Sequence, residues 1–275
     1  MCSSHRAKTM GATDATVHQR GPTGAKAMLS DLEFIRYSRQ LMLPDFGEAA
    51  QLKLKQTKVL LIGCGGLGHA ASQYLVSSGI GQLTLVDGDK VELSNLQRQL
   101  LFRDSDRGFN KAKMAARQLK QLNPYVQLSA VEQHFGADNA ATLLANTDWV
   151  LDCTDNFLSR KLINKLCQQH QISLISAAAI AQQGQLMLWP FAHNPSPCYS
   201  CLFPNLTDQS GNCSSLGVLA PLPGIIGAMQ AMLLIQQIIQ PDRQAKFWQF
   251  EGVGFRFVAY DMPVQGCRCL VEKTT

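Results

Sequence analysis

The amino-acid sequence predicts an α/β fold: a Rossmann-like, mostly parallel sheet with helices on both faces and a C-terminal antiparallel extension. Three observations predict it. Short apolar runs alternate with helix-like segments between residues 58 and 179, and a cluster of glycines separates the first run from the helix that follows. From residue 184 this alternation stops and strand-like runs become more frequent than helices. Alternating strands and helices of this length form a parallel sheet that is covered on both faces.

The first unit runs from residue 58 to residue 89 and contains the most informative motif. An apolar strand-like run (59–62) leads into the glycine-rich segment 63–68, a helix-like segment and a second apolar run that ends at Asp87. Such glycines let the backbone turn tightly beside a phosphate, the helix N-terminus offers free N–H groups, and an acid 19 residues beyond Gly68 suits a ribose hydroxyl. The motif therefore predicts a nucleotide site, and taken alone it is most typical of NAD- or FAD-dependent oxidoreductases.

The remaining elements follow in the same style. Apolar periodicity predicts helices over 110–122, 157–170 and 224–239, the first of which ends at Asn123-Pro124. Apolar and β-branched runs predict strands over 126–131, 148–153, 172–179, 185–191, 247–251 and 255–260. No repeat and no Gly-, Ser- or Pro-rich linker interrupts them. We therefore expect residues 28–275 to form one domain, preceded by a disordered tail over residues 1–27.

Composition narrows the class of protein. The chain is 46% hydrophobic and 16% charged, which is enough apolar material for a substantial core. Of the net charge of +5, residues 1–27 supply four Lys/Arg against one Asp, so about +2 remains elsewhere and no basic field predicts nucleic-acid binding. Nine cysteines without a secretory segment indicate a reducing, cytoplasmic location.

One apolar segment resembles a membrane span. Residues 217–235 contain a single polar side chain, Gln230. Pro221 and Pro223 break this run, however, and the helix expected after them is shorter than the ~20 residues that a bilayer needs. We therefore expect a buried helix and no membrane association.

Four further features surround the glycine motif. The segment 94–99 (SNLQRQ) follows the second strand, Lys111 begins a helix, Asp155 lies at the carboxyl end of a buried strand, and RYSRQ (36–40) precedes the first strand. Arg98 and Lys111 are suited to neutralise a triphosphate, and an acid at a strand end is suited to hold Mg²⁺. A dinucleotide oxidoreductase does not need this set, so the sequence favours phosphate chemistry.

Each of these residues also has a simpler interpretation. Arg39 and Arg98 could be solvated surface arginines, and one of Lys111 and Lys113 is expected to lie on a solvated helix face. Asp155 could cap the helix that begins near residue 157, which is a common role for Asp before a helix. A cap and a Mg²⁺ ligand are compatible roles at a strand end.

Taken together, the motifs resemble one family. Residues 29–269 are similar to the ThiF/MoeB/HesA family, bacterial relatives of the ubiquitin-activating enzymes, which adenylate the C-terminal glycine of a ubiquitin-like sulfur-carrier protein. The matching motifs are RYSRQ (36–40), GCGGLG (63–68), SNLQRQ (94–99), CTDN (153–156), CYSC (198–201) and NCSSLGVLAP (212–221). By this resemblance the residues that contact ATP or Mg²⁺ are Gly66, Asp87, Asn95, Arg98, Lys111 and Asp155. The resemblance also implies a homodimer, in which Arg39 reaches the phosphates of the neighbouring subunit.

The resemblance divides the cysteines into two groups. Cys198 and Cys201, with Cys267 and Cys269, resemble the two zinc-binding pairs of the family, so the extension over about residues 184–275 is expected to bear zinc. The second pair is CxC rather than the usual CxxC, which leaves open whether both of its thiols are ligands. Cys213 matches the reactive thiol that is proposed to link to the carrier or to accept sulfur, and an incidental cysteine is its simpler interpretation. A sulfur-donating desulfurase is a further candidate partner.

Within the family, a few loop residues favour one carrier over another. Leu202-Phe203-Pro204, Asn212 and residues 184–187 resemble the thiamine branch, which acts on a ThiS-type carrier in thiazole synthesis. The alternative is a MoeB-type enzyme that acts on the molybdopterin carrier (MoaD-type). An NAD-dependent oxidoreductase and a catalytically silent carrier-binding scaffold are alternatives from other classes.

Overall fold

The computed structural model describes residues 28–193, 196–204, 217–242, 244–262 and 267. The helices are α1 (Asp31–Leu41), α2 (Gly47–Gln56), α3 (Gly66–Ser77), α4 (Lys111–Leu122), α5 (Ala137–Leu144), α6 (Phe157–Gln169), the single turn α7 (Tyr199–Leu202) and α8 (Pro221–Ile239). The strands are β1 (Lys58–Ile62), β2 (Gln82–Val86), β3 (Gln127–Val131), β4 (Trp149–Asp152), β5 (Ser173–Ile180), β6 (Gln183–Trp189), β7 (Lys246–Glu251) and β8 (Arg256–Asp261). The expected tail, residues 1–27, lies outside the described residues.

The eight strands form one sheet in the order β3-β2-β1-β4-β5-β6-β7-β8. The first five strands are parallel, and β6, β7 and β8 continue the sheet in antiparallel fashion. The predicted fold class is therefore confirmed. The chain order reverses beside β1, where Ile62 pairs with Val86 on one side and Asp152 on the other. Ligands of open α/β sheets bind outside the carboxyl ends of the strands at such a point.

Side-chain alternation along the strands builds two cores, one on each face. Val59 and Leu61 of β1 pack in a cluster that contains buried residues of α3, α4 and α8. Leu60 and Ile62 belong to a second cluster, which contains buried residues of α5 and α6. Because β1 is buried on both faces from Val59 onward, residues 59–62 are all apolar rather than alternating with polar residues, as is typical of parallel strands.

Helix α8 is the apolar segment that resembled a membrane span. It is the one helix in the described part of the chain that is long and apolar enough to cross a membrane by length and composition. It packs instead into the α3 side of the core, and its Gln230, which is 0% exposed, donates to the carbonyls of Asp152 (3.1 Å) and Ile175 (2.8 Å). The buried helix is thus confirmed, but it begins at Pro221 rather than at 224, because proline is tolerated in the first turn.

Four of the described helices were not predicted: α1, α2, α5 and the single turn α7. Helix α1, which contains RYSRQ, begins at a capping box in which Ser30 accepts from the Glu33 N–H and the Glu33 carboxylate accepts from the Ser30 N–H. Two short 3₁₀ turns, Leu93–Asn95 and Asp104–Asp106, connect β2 to α4. The first of these turns opens the SNLQRQ segment.

Candidate active site

A cavity of about 550 Å³ lies at the carboxyl ends of β1, β2 and β4. This volume is within the range of small-molecule sites, and the position is the crossover point of the sheet. Its walls are the glycine turn, residues 92–99, Lys111 and residues 153–160. The first turn of α8 contributes Pro223.

The glycine turn is shaped by steric requirements. Gly63 has a φ of +96°, and a Cβ at this position would lie 2.8 Å from the carbonyl oxygen of Cys153, the residue after β4. A Cβ on Gly68 would lie 2.0 Å from the Gly63 carbonyl oxygen, so only glycine lets α3 begin this close to the strand. Gly65, the N-cap of α3, has no side chain that could cap the helix, and Gly66 is the first helical residue. The first-turn N–H groups are therefore available to an anion at the cavity wall.

Asp87, at the end of β2, is buried against this turn. Its Oδ2 accepts from the Cys64 N–H at 2.7 Å, and its Oδ1 accepts from the Asp89 N–H at 2.8 Å. Burial raises the pKa of the Asp87 carboxyl, while these two hydrogen bonds and Lys111 oppose the rise. Each carboxylate oxygen has a further lone pair, so Asp87 can bind a hydroxyl group in the cavity as well as hold the turn.

The SNLQRQ segment forms the opposite wall. Asn95 is buried and its Oδ1 accepts from the Glu92 N–H at 3.2 Å, while the Arg98 Nη1 donates to the Ser94 carbonyl at 2.9 Å. Gln99 also lines the cavity, and its buried Oε1 has no hydrogen-bond partner among the described residues. Gln99 was not among the predicted site residues, although it belongs to the motif that contains Arg98.

The two lysines at the start of α4 have different environments. The Lys111 side chain is 10% exposed, lines the cavity and pairs with Asp89, with 2.9 Å between Nζ and Oδ2. The Lys113 side chain is 60% exposed and pairs with Glu132 at 3.4 Å. A cation in the first turn of a helix is disfavoured by the helix dipole, so helix stability does not explain Lys111. Lys113 is the lysine on the solvated face.

Asp155 is exposed and lines the cavity after β4. The interpretation of Asp155 as the cap of α6 is wrong, since the N-cap is Asn156, whose Oδ1 accepts from the Ser159 N–H at 2.9 Å. The backbone before Asp155 is held by two residues that the sequence analysis missed. The Arg160 Nη2 donates to the Thr154 carbonyl at 2.8 Å, and the buried Asp152 Oδ1 accepts from the Thr154 N–H at 3.0 Å.

Arg39 is the one predicted nucleotide-site residue of the described chain that does not line this cavity. It lies in the last turn of α1 and is exposed to solvent. The structure therefore brings together Gly66, Asp87, Asn95, Arg98, Lys111 and Asp155, and leaves Arg39 apart from them.

Three of the four predicted zinc ligands form a cluster away from the cavity. The Sγ atoms of Cys198 and Cys201 are 3.7 Å apart, and those of Cys201 and Cys267 are 3.8 Å apart. The three thiols all lie within 4.8 Å of one another. Tetrahedral zinc with Zn–S bonds of about 2.3 Å places its sulfur ligands about 3.8 Å apart, so the spacing fits zinc. Cys269 and Cys213 lie outside the described residues.

Comparison with known proteins agrees with the motifs. The sequence profile of the ThiF family matches residues 37–271. The molybdopterin-synthase adenylyltransferase of Escherichia coli (strain K12) is 43% identical over 77% of this chain and 85% of that protein. The sulfur carrier protein ThiS adenylyltransferase of the same strain is 41% identical over 76% of this chain and 82% of that protein. The crystal structure of E. coli MccB superimposes with a TM-score of 0.72 at 25% identity, over 82% of this chain and 69% of that one. The predicted resemblance is thus confirmed, and the chain belongs to the ThiF family.

Proposed function

We propose that this protein uses ATP to adenylate the C-terminal glycine of a ubiquitin-like sulfur-carrier protein. The observation that carries the proposal is the cavity itself. It joins an uncapped glycine turn to two cations, Arg98 and Lys111, and to the exposed carboxylate of Asp155. An NAD-dependent oxidoreductase or a silent scaffold would not need this combination, and named relatives at 41–43% identity are adenylyltransferases.

The proposed reaction is an in-line displacement at phosphorus. A carboxylate oxygen of the carrier's terminal glycine attacks the α-phosphorus of ATP and forms a P–O bond. The bond between the α-phosphorus and the bridging oxygen breaks, and its electron pair leaves with pyrophosphate. In this scheme Arg98 and Lys111 neutralise the phosphates, the N–H groups at Gly66 bind a phosphate oxygen, and Asn95 and Asp87 hold the sugar end of the nucleotide. No protein nucleophile is required.

Two metals belong to the proposal. Asp155 would hold Mg²⁺, which prefers carboxylate and phosphate oxygens and would offset charge on the triphosphate. Zinc would be held by Cys198, Cys201 and Cys267, with Cys269 as the fourth ligand of a closed structural site. The spacing of the three described thiols supports the zinc, and the exposure of Asp155 at the cavity wall supports the magnesium.

For the carrier we propose the ThiS type of thiamine thiazole synthesis, supported by Leu202-Phe203-Pro204 and residues 184–187. The MoaD-type molybdopterin carrier is the second candidate, favoured by the relative at 43% identity. The test incubates the enzyme with ATP, Mg²⁺ and equal amounts of both carriers and reads carrier adenylate by intact mass. We expect the ThiS-type adenylate to predominate. A predominant MoaD-type adenylate would reverse the choice of carrier, and adenylate on neither would reject the function.

We further propose a homodimer in which Arg39 completes the site of the neighbouring subunit. Its exposed position at the end of α1, outside the cavity of its own chain, supports this arrangement. Arg39→Ala and Lys111→Ala, each inactive alone, should regain part of the activity when mixed subunits exchange, because one site of the heterodimer then lacks both defects. Heterodimers that remain inactive would contradict a shared site.

The later steps concern Cys213, which we propose as the reactive thiol that receives sulfur or links to the carrier, with a cytoplasmic desulfurase as the sulfur donor. Adenylation does not use this thiol. Cys213→Ala should therefore keep pyrophosphate exchange and lose sulfur transfer to the carrier. Loss of exchange in this variant would contradict the assignment.

A further inference from the structure

The SNLQRQ segment must keep a fixed shape if Arg98 and Gln99 are to face the cavity. Its first end is the 3₁₀ turn closed by Asn95, whose carbonyl accepts from the N–H groups of Arg98 (3.1 Å) and Gln99 (2.9 Å). Beyond its other end, three residues after Gln99, Phe102 is buried in the core on the α3 side of the sheet. A residue of α3 contacts this other end.

That residue is His69, which follows directly after the glycine turn. Its Nδ1 accepts from the Leu101 N–H at 2.8 Å, and its ring packs edge-on against Phe102 with 4.3 Å between ring centroids. His69 as a whole residue is 3% exposed. His69 therefore joins the helix that begins at the phosphate-binding turn to the segment that carries the phosphate-facing cation.

The chemistry of the ring fits an acceptor role. Because Nδ1 accepts a backbone N–H, the neutral ring must carry its proton on Nε2, and Nε2 is buried without a hydrogen-bond partner among the described residues. Burial, with a smaller contribution from Lys111, lowers the pKa of His69 to about 3, so the ring stays neutral at physiological pH. The ring therefore uses its acceptor, Nδ1, while its donor stays unpaired, so acceptance of the Leu101 N–H is the polar contact that the His69 ring supplies in the described part of the chain.

We propose that His69 is a positioning residue for ATP: by accepting the Leu101 N–H, it fixes residues 96–101 so that Arg98 and Gln99 face the phosphates. The inference rests on the proposed adenylation. It predicts that loss of the acceptor leaves the half-buried Leu101 N–H without its partner, loosens this segment and weakens ATP binding, while the distant core is unchanged.

The test compares three variants. In His69→Asn the side-chain oxygen lies near the position of Nδ1 and keeps the acceptor, in His69→Gln the oxygen extends toward the Nε2 position, and His69→Leu has no acceptor. Leu144→Ala, in the core on the other face of the sheet, is the matched control for destabilisation. Hydrogen exchange of residues 96–102 is measured without nucleotide, and KM for ATP is measured by pyrophosphate exchange.

We expect His69→Leu and His69→Gln to exchange the Leu101 amide at least tenfold faster and to raise KM for ATP about tenfold, with His69→Asn within threefold of the wild type. Leu144→Ala should lower Tm without changing either quantity. Unchanged hydrogen exchange at the Leu101 amide in His69→Leu and His69→Gln would overturn the inference. Equal changes in Leu101 hydrogen exchange and in KM for ATP in Leu144→Ala would also overturn it. Wild-type protein without pyrophosphate exchange would instead reject the proposed function, since the hydrogen-exchange result does not depend on the reaction.

Discussion

Lys111 offers the sharpest test of how the cavity handles charge, because a control residue lies two positions away on the same helix. Its side chain is almost fully buried at the cavity wall and carries a positive charge with Asp89 2.9 Å away. Lys111→Met removes the charge and keeps a side chain of similar length. Lys113→Met makes the same change on the solvated face, beside Glu132.

The expected magnitude follows from Coulomb's law. Two opposite unit charges about 4 Å apart interact by about 4 kcal/mol at an effective dielectric constant of 20. Solvent that enters with the nucleotide screens part of this energy, so we expect a loss of about 2–4 kcal/mol in transition-state stabilisation. Since about 1.4 kcal/mol corresponds to a factor of ten, kcat/KM for ATP should fall roughly 30- to 1,000-fold.

The assay is carrier-dependent pyrophosphate exchange over a range of ATP concentrations, with thermal unfolding measured on the same preparations. Lys113→Met should stay within twofold of the wild type. Lys111→Met should keep its Tm, because the change removes a cation from the N-terminal turn of α4, where the helix dipole disfavours it. Near-wild-type kcat/KM in Lys111→Met, or an equal loss in Lys113→Met, would refute the reasoning.

Three further changes test other parts of the molecule. Asp155→Asn should lower the rate of pyrophosphate exchange by at least about 10²-fold. It should not lower Tm, because Asn156 still caps α6. A wild-type rate of pyrophosphate exchange in this variant would show that Asp155 holds no metal. Metal analysis should find about one zinc per chain, and a zinc-free native protein would contradict this. Cys198→Ser should lower Tm by roughly 5 °C or more, since each kcal/mol of unfolding free energy shifts Tm by about 2–4 °C in a domain of this size. Between pH 7 and pH 5, His69 becomes protonated in the unfolded chain, where its pKa is the ordinary 6.5. In the folded chain the pKa of His69 is about 3, so the ring stays neutral over this interval. The wild type should therefore lose about 2 kcal/mol more unfolding free energy than His69→Asn over this interval in urea titrations, and equal losses would contradict a neutral buried ring.

The parallel half of the fold could be predicted because its signals are local. β1 is apolar on both faces, glycines follow it, and strands and helices alternate, so the class of sheet and the position of the cavity follow from general rules. Helix α1 could not be found in this way. It exposes Leu32, Phe34 and Ile35 and buries Glu33 together with Tyr37, so most of its apolar residues do not mark the face that packs against the protein.

The site shows the same division between local and tertiary information. Six residues that the motifs predicted line one cavity, because the carboxyl ends of the strands and the turns after them lie at the same edge of the sheet. The local pattern alone did not distinguish Lys111 from Lys113, although the family resemblance selected Lys111, and it did not distinguish the cap Asn156 from Asp155. Each choice depends on the direction in which the residues at the start of a helix face. His69 was missed because its contact with Leu101 joins segments 32 residues apart in sequence. Arg160 and Gln99 were missed because their roles depend on how the loop before α6 and the SNLQRQ segment fold, which residue types alone do not show.

The central claim is that this cavity activates a carrier's C-terminal carboxylate with ATP, and isotope exchange between labelled pyrophosphate and ATP measures it most directly. The wild-type protein, Mg²⁺ and a ubiquitin-like carrier ending in Gly-Gly should together support exchange, whereas omission of Mg²⁺ or use of a carrier without its last glycine should abolish it. Exchange that proceeds equally well without the carrier, or tight NADH binding with no exchange under any of these conditions, would contradict the account.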